Sequence, residues 1–214
     1  MKDIPMFTTE FGIASLLLKE IPYRGEAYIR LQATQLPLEL LNECIAFCRA
    51  CGAEKIYATG SDALTRYPLH TEVVQMQCTL PLAETDTALF PVLPETLKNW
   101  RSIYNERMKD VPNASFMTEK DAKAMLDAGD GYFVHKNGQL LGIGKASGSK
   151  IEAVVSVVPG AGKDVVPALS SLLTGDSATV DVATTNTRAV RLYERLGFIP
   201  VRSLSKWYHV YPCG

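Results

Sequence analysis

Apolar residues recur along the chain with two periods, and the switches between them outline its elements. Alternating or nearly continuous apolar runs predict strands over 12–21, 27–34, 55–59 and 72–80. Within that series, Leu41, Cys44, Ile45 and Cys48 repeat at three- and four-residue steps, which predicts a helix over 38–50 ended by Gly52. Pro22-Tyr23-Arg24-Gly25 reads as a turn. The first stretch is therefore β-β-α-β-loop-β, and a Pro-rich, acidic segment from Pro81 to Pro94 follows it. Beyond it, helices are predicted over 94–108 and 118–128, the second opened by Thr118 and Asp121 at capping-box spacing. Strands follow over 131–135, 140–147 and 151–158, the first two joined by the tight Asn137-Gly138 turn. A helix over 163–173 carries Val165, Val166, Leu169, Leu172 and Leu173 on one stripe. A strand over 178–183 leads into a helix over 187–196 ended by Gly197, and the tail from Ile199 to Tyr211 is strand-rich. The second stretch reads α-α-β-β-β-α-β-α-β, an α/β or α+β arrangement with adjacent hairpins.

Composition narrows the functional classes without choosing among them. The 214 residues are 47% hydrophobic and 21% charged, enough for a core without disulfides or metals. A net charge of −1 offers no electrostatic argument for nucleic acid or an anionic membrane as partner. No apolar run approaches the roughly 20 residues of a membrane helix, and MKDIPMFTTEFG lacks the pattern of a signal peptide. Three of the five cysteines crowd into one segment, so a reduced, cytoplasmic protein is expected. Cys44, Cys48 and Cys51 have the spacing of a radical-SAM iron–sulfur signature. They fall at i, i+4 and i+7 of an apolar helical pattern, where free cysteine packs as a small hydrophobe, and core packing is the favoured reading. His70, His135 and His209 show no metal-ligand spacing, and no metal is expected.

Two segments carry candidate chemistry. In Asn186-Thr-Arg-Ala-Val-Arg-Leu-Tyr193-Glu-Arg-Leu-Gly197-Phe198, Asn186 suits an N-cap, and Ala189, Leu192 and Leu196 form a buried stripe. Tyr193 sits beside that stripe, where a neutral phenol with an ordinary pKa near ~10 could protonate a departing thiolate or simply pack. In Ile151-Glu-Ala-Val-Val-Ser-Val157-Val-Pro159-Gly160-Ala161-Gly162-Lys163-Asp164, an apolar strand runs through a glycine-rich turn into a helix N-terminus. Unpaired amides and the helix dipole make such a terminus an anion site. A P-loop does not fit, because Val157 stands for its first glycine and Asp164 for its Ser/Thr. Glu152 is the one acid in the strand; alternation places it with Val154 and Ser156, as a general base or a solvated residue. Arg188, Arg191 and Arg195 share helical spacing, more consistent with a solvated surface than with phosphate contacts.

The Asn186…Leu192-Tyr193…Leu196-Gly197-Phe198 run resembles the corresponding motif of the GNAT N-acetyltransferase superfamily at every position, and Val157-Val-Pro159 resembles the end of its central strand. The resemblance covers about residues 90 to 211. It implies the GNAT fold, a mixed, mostly antiparallel sheet with flanking helices, and acetyl-CoA as co-substrate. By resemblance, Tyr193 is the general acid to the CoA sulfur, Asn186 contacts pantetheine, and Glu152 is the base. Val155, Ser156, Val157, Gly160, Ala161, Gly162, Lys163 and Asp164 would hold pantetheine and pyrophosphate, the amide of Val157 or a neighbour polarising the thioester. The turn departs from the family pattern, being shortened to Gly160-Ala-Gly162-Lys163, with Pro167 early in the helix. The resemblance also divides the chain into 1–85, a degenerate, non-catalytic GNAT-like half without a phosphate turn, and 86–214, the catalytic unit. The function it implies is acetyl transfer to a primary amine of a small molecule or peptide. A non-catalytic acyl-CoA sensor is the alternative, and an interaction protein without CoA binding a third reading. Trp207 and Tyr208 either line the acceptor pocket or belong to the core, and the oligomeric state, a homodimer included, stays open.

Overall fold

The computed structural model describes residues 3–112 and 114–212. In chain order the elements are β1 (Ile4–Thr9), β2 (Gly12–Leu17), α1 (Ile21–Arg24), β3 (Glu26–Thr34), α2 (Pro37–Ala50), β4 (Lys55–Thr59) and β5 (Leu69–Thr79). After them come β6 (Ala88–Pro91), α3 (Leu97–Met108), α4 (Glu119–Ala128), β7 (Gly131–Lys136), β8 (Gln139–Ser147) and β9 (Lys150–Ser156). The chain continues with α5 (Gly162–Ser170), β10 (Ser177–Ala183), α6 (Thr187–Arg195) and β11 (Ile199–Tyr211). The fold is mixed α/β, as the alternation of the two periods implies.

Two compact units share the chain: 1–73 together with 203–214, and 74–202. The expected boundary lay near residue 85 and left the tail with the second unit. The difference arises because β11 pairs antiparallel with β4, Tyr208 opposite Ala58, so the last strand completes the sheet of the first unit.

In the first unit the strands run β1-β2-β3-β4-β11. β3 and β4 pair in parallel without a break, from Glu26↔Lys55 through Arg30↔Thr59. One face packs on α2, where Leu40, Leu41, Cys44 and Cys48 meet Ala27, Ile29, Ile56, Ala58 and Val210. Both thiols are fully buried, which pushes them up to about 12 and makes them core hydrophobes, not cluster ligands. The other face carries Tyr28, Tyr57 and Trp207, with Trp207 edge-on to Tyr28. Trp207 and Tyr208 are therefore core residues of this unit.

In the second unit the order is β5-β10-β9-β8-β7-β6. The Asn137-Gly138 hairpin forms as predicted, with φ of 50° and 78°, the pair of positive angles that a tight primed turn demands. Thr118 and Asp121 form the full capping box. On one sheet face Trp100, Tyr104 and Met125 of α3 and α4 cover Phe133, Ile143 and Val155. On the other, α5 and α6 bring Val165, Leu169, Tyr193 and Phe198 against Val134, Ile151, Val180 and Val182. α5 lies close to β8 because Gly142 and Gly144 present no side chains: Val165 Cγ2 is 2.9 Å from where a β-carbon on Gly142 would stand.

Two strands escape the pattern, β1 and β6. β6 has only four residues, falls in the segment read as a Pro-rich linker, and pairs on one side alone, with β7. Edge strands of this kind tolerate proline and carry little alternation. The Pro22–Gly25 turn is a single helical turn, α1.

Candidate functional site

β9 and β10 are parallel neighbours, but their register holds only at Lys150↔Thr179 and Ile151↔Val180. β9 continues to Ser156 and β10 to Ala183 without further register, so the two strands part toward their carboxyl ends. Ligands of α/β sheets characteristically bind beyond the carboxyl ends of parallel strands. The first unit offers no such opening, since β3 and β4 stay paired along all of β4 and Pro37 removes an amide from the first turn of α2.

Which backbone groups face the opening follows from the antiparallel ladder on the other side of β9. Val157 N–H donates to the Leu141 carbonyl at 2.8 Å and Val158 N–H to the same oxygen at 3.2 Å. Two consecutive amides on one carbonyl make a β-bulge. Stepping back by twos, Val155 and Ala153 pair with β8, and the backbone groups of Val154 and Ser156 point toward β10, where the ladder has ended. Of the amides that the resemblance offered, Val157 or a neighbour, that of Val157 is engaged with Leu141. Ser156 supplies the amide that faces the gap.

The turn after β9 folds tightly. Ala161 N–H donates to Val158 O at 3.1 Å, Gly160 takes φ of 80°, and α5 starts at Gly162. The amides of Gly162 and Lys163, in the first turn of α5, lack intrahelical partners. Lys163 is exposed, whereas Asp164 is held by Lys136 of β7 at 3.1 Å, which leaves its carboxylate engaged with a cation. Val157 O, beyond the end of the ladder, accepts a hydrogen bond from Arg107 Nη2 of α3 at 3.3 Å. Neither Arg107 nor Lys136 stands out in the sequence, because each is an ordinary polar position on its element and only the fold brings it to this end of the sheet.

α6 closes the other side. Asn186 caps it, its side-chain oxygen accepting the Ala189 N–H at 3.2 Å, so only the carboxamide NH2 is left for a ligand. Tyr193 is 7% exposed, with its ring 5.5 Å from that of Phe198, and burial pushes its hydroxyl up to about 12. The phenol therefore stays protonated through the neutral range. Leu192 packs over Gly162, and Ser156 Oγ lies 3.4 Å from where a β-carbon on Gly162 would stand. The structure thus gathers Ser156, Gly162 and the turn 157–161 at the mouth between β9 and β10, with Tyr193 on the adjoining helix. Arg188, Arg191 and Arg195 are exposed, in keeping with a solvated helix face.

Glu152 does not take the position that alternation gave it. Lys145 pairs with Ala153 but Ala146 with Ile151, so Glu152 is an extra residue in a second bulge. Its carboxylate bonds Lys145 Nζ and accepts Ser147 Oγ at 2.9 Å. Burial raises its pKa, but the hydrogen bonds from Lys145 and Ser147, with the charges of Lys145 and Lys150, outweigh that and hold the carboxyl below its ordinary range. Lys145 also reaches Asp130 at 3.3 Å. Among the described residues no group of three or more His, Cys, Asp or Glu could hold a metal, and no helix is long and apolar enough to cross a membrane.

No protein-family model matches the chain, and no curated protein matches it. Solved structures do. A putative acetyltransferase from Pyrococcus horikoshii superposes with a TM-score of 0.61 at 13% identity, over 94% of this chain and 69% of its own. A GCN5-related N-acetyltransferase from Anabaena variabilis gives 0.59 at 11%, over 92% and 58%. A tandem GNAT protein from the clavulanic acid biosynthesis pathway gives 0.54 at 12%, over 95% and 80%. The fold is that of the GNAT acetyltransferases. Identities this low establish the GNAT fold and leave the reaction to be argued from the site.

Proposed function

We propose that the unit spanning 74–202 transfers an acetyl group from acetyl-CoA to a primary amine by direct attack in a ternary complex. The observation that carries this reading is the parting of β9 from β10 beyond Ile151, with unpaired strand backbone on one side and a buried, protonated tyrosine on the helix that closes the other.

The pantetheine arm of CoA is an extended chain with two amides, the kind of ligand that pairs with an open strand edge at Val154 and Ser156. Its pyrophosphate suits the free amides of Gly162 and Lys163, with the Lys163 ammonium alongside. The thioester carbonyl then meets the Ser156 amide, in the role expected of Val157 or a neighbour. The amine attacks that carbonyl, the carbon–sulfur bond breaks, and Tyr193 gives its proton to the departing thiolate. Asn186 holds the start of α6 and presents its NH2 to the arm. Asp164 acts indirectly, by engaging Lys136 at the base of the turn. Glu152, bound to Lys145, maintains the sheet and is not the base in this reading; the amine loses its proton to solvent. The first unit is a GNAT-like half without an open cleft.

A second reading, an acyl-CoA sensor without turnover, draws on the shortened turn and the acid in the first turn of α5. Calorimetric titration of acetyl-CoA, followed by thiol release against a panel of primary amines, separates the two. Micromolar binding with amine-dependent thiol release supports the enzyme. Binding without release supports the sensor, and no binding removes both.

A further inference from the structure

The protein partners of the bulge at the end of β9 include a residue from α3. Val157 and Val158 N–H go to Leu141 O, Val158 O accepts Ala161 N–H, and Val157 O lies past the ladder with no strand left to pair it. Arg107 Nη2 fills that place at 3.3 Å. The guanidinium makes no ion pair with a carboxylate among the described residues, so its hold on this carbonyl is the one polar interaction recorded for it. The Val157 carbonyl shares its peptide plane with the Val158 N–H, so the exposed Arg107 hydrogen bond and the 3.2 Å bond to Leu141 O hold that plane from both ends, and the Ser156–Val157 peptide links it to the Ser156 N–H.

We infer that Arg107 is a positioning residue for the acyl-CoA cleft. It reaches across the end of the sheet, fixes the Val157–Val158 bulge, and so keeps the Ser156 backbone turned into the gap. It acts through the strand, not by touching the acetyl group, and its remaining N–H groups stay beside the turn that precedes α5. The inference rests on the acyl-CoA reading for its functional consequence, while its structural half stands on the hydrogen bond alone.

The test uses full-length protein and two variants, Arg107→Ala and Arg107→Lys. Amide hydrogen exchange of Val157 and Val158 without ligand is read first, alongside the melting temperature. In Arg107→Ala these two amides exchange about tenfold faster while the global transition moves little, as for loss of a single exposed charged hydrogen bond. The dissociation constant for acetyl-CoA rises roughly fivefold and kcat falls by a similar factor, because the Ser156 amide that the bulge aims both pairs with the arm and meets the thioester carbonyl. Arg107→Lys, which can still donate to the carbonyl, recovers most of the protection and affinity. Unchanged exchange in Arg107→Ala overturns the inference, and so does a lysine variant no better than alanine. If the unaltered protein binds no acetyl-CoA, the acyl-CoA reading falls, and the exchange measurement still decides whether Arg107 holds the bulge.

Discussion

Leu192 Cδ2 lies 2.5 Å from the position that a β-carbon on Gly162 would occupy, so the second helix of the site rests directly on the first residue of the first. Gly162→Ala therefore has to displace the tip of Leu192, and Gly162→Val displaces α6 itself. Because Leu192 precedes Tyr193, the displacement reaches the proposed acid. Alanine is expected to lower acetyl-CoA affinity several-fold with a stability loss of about 1 kcal/mol, and valine to lose 1–3 kcal/mol, about the range for overpacking. Calorimetry and thermal melts on the two variants check the order.

Tyr193→Phe keeps the ring against Phe198 and removes only the proton donor. Turnover is expected to fall by roughly two orders of magnitude, with acetyl-CoA affinity within about twofold of the original. A variant with undiminished kcat would take Tyr193 out of the mechanism. Since the hydroxyl is pushed up to about 12, the rate of the unaltered protein should show no decline attributable to Tyr193 below pH 9.

Glu152→Gln discriminates the base from the sheet residue. The carboxyl is held below its ordinary range, so the folded state favours its charged form, and the stabilisation is present above the unfolded pKa and lost as the pH falls through the folded one. The variant should lose a small part of its stability near neutrality, less of it under acid conditions. Its pH–rate profile should keep the acidic limb of the original enzyme. A limb that disappears with Glu152 would restore it as the base.

Alkali provides a test of the core of the first unit. Cys44 and Cys48 ionise near 9.0 when exposed and at about 12 when buried. Above pH 9 the unfolded chain gives up protons that the folded one retains, so stability is full below 9 and declines as the pH rises toward 12. Each thiol contributes a slope of at most about 1.4 kcal/mol per pH unit. Urea unfolding at pH 8 and 10 should show the decline, and Cys44→Ala should flatten it while lowering stability throughout through the cavity it leaves.

Much of this was legible in residue order, and the exceptions share a cause. Helix α4 with its Thr118–Asp121 box, the Asn137-Gly138 turn, the cysteines of α2 and the Asn186-capped α6 are local features, written within a few consecutive residues. Bulges are not local. Whether Glu152 follows the alternation of β9 depends on how many residues β8 sets against it, and whether the Val157 amide is free depends on Leu141. The same holds for Arg107, whose partner is fifty positions away. The site's composition could be read, and its hydrogen-bond directions could not.

Removal of residues 203–214 should unfold the first unit selectively. Val210 is fully buried against its core, and Tyr208 and His209 pair with β4. Limited proteolysis of the truncated chain should degrade residues within 1–73 while leaving a fragment from the second unit.

That last strand also imposes an order of events during synthesis. The segment 1–73 holds two helices and four strands, β1 to β4, whose sheet stays one strand short until residues 203–211 have been made. The N-terminal segment must wait, with the edge of β4 unpaired, while the later unit is being made. Completion of the first unit thus follows the making of the second, and a nascent chain that stops before residue 203 is marked by an open edge at β4.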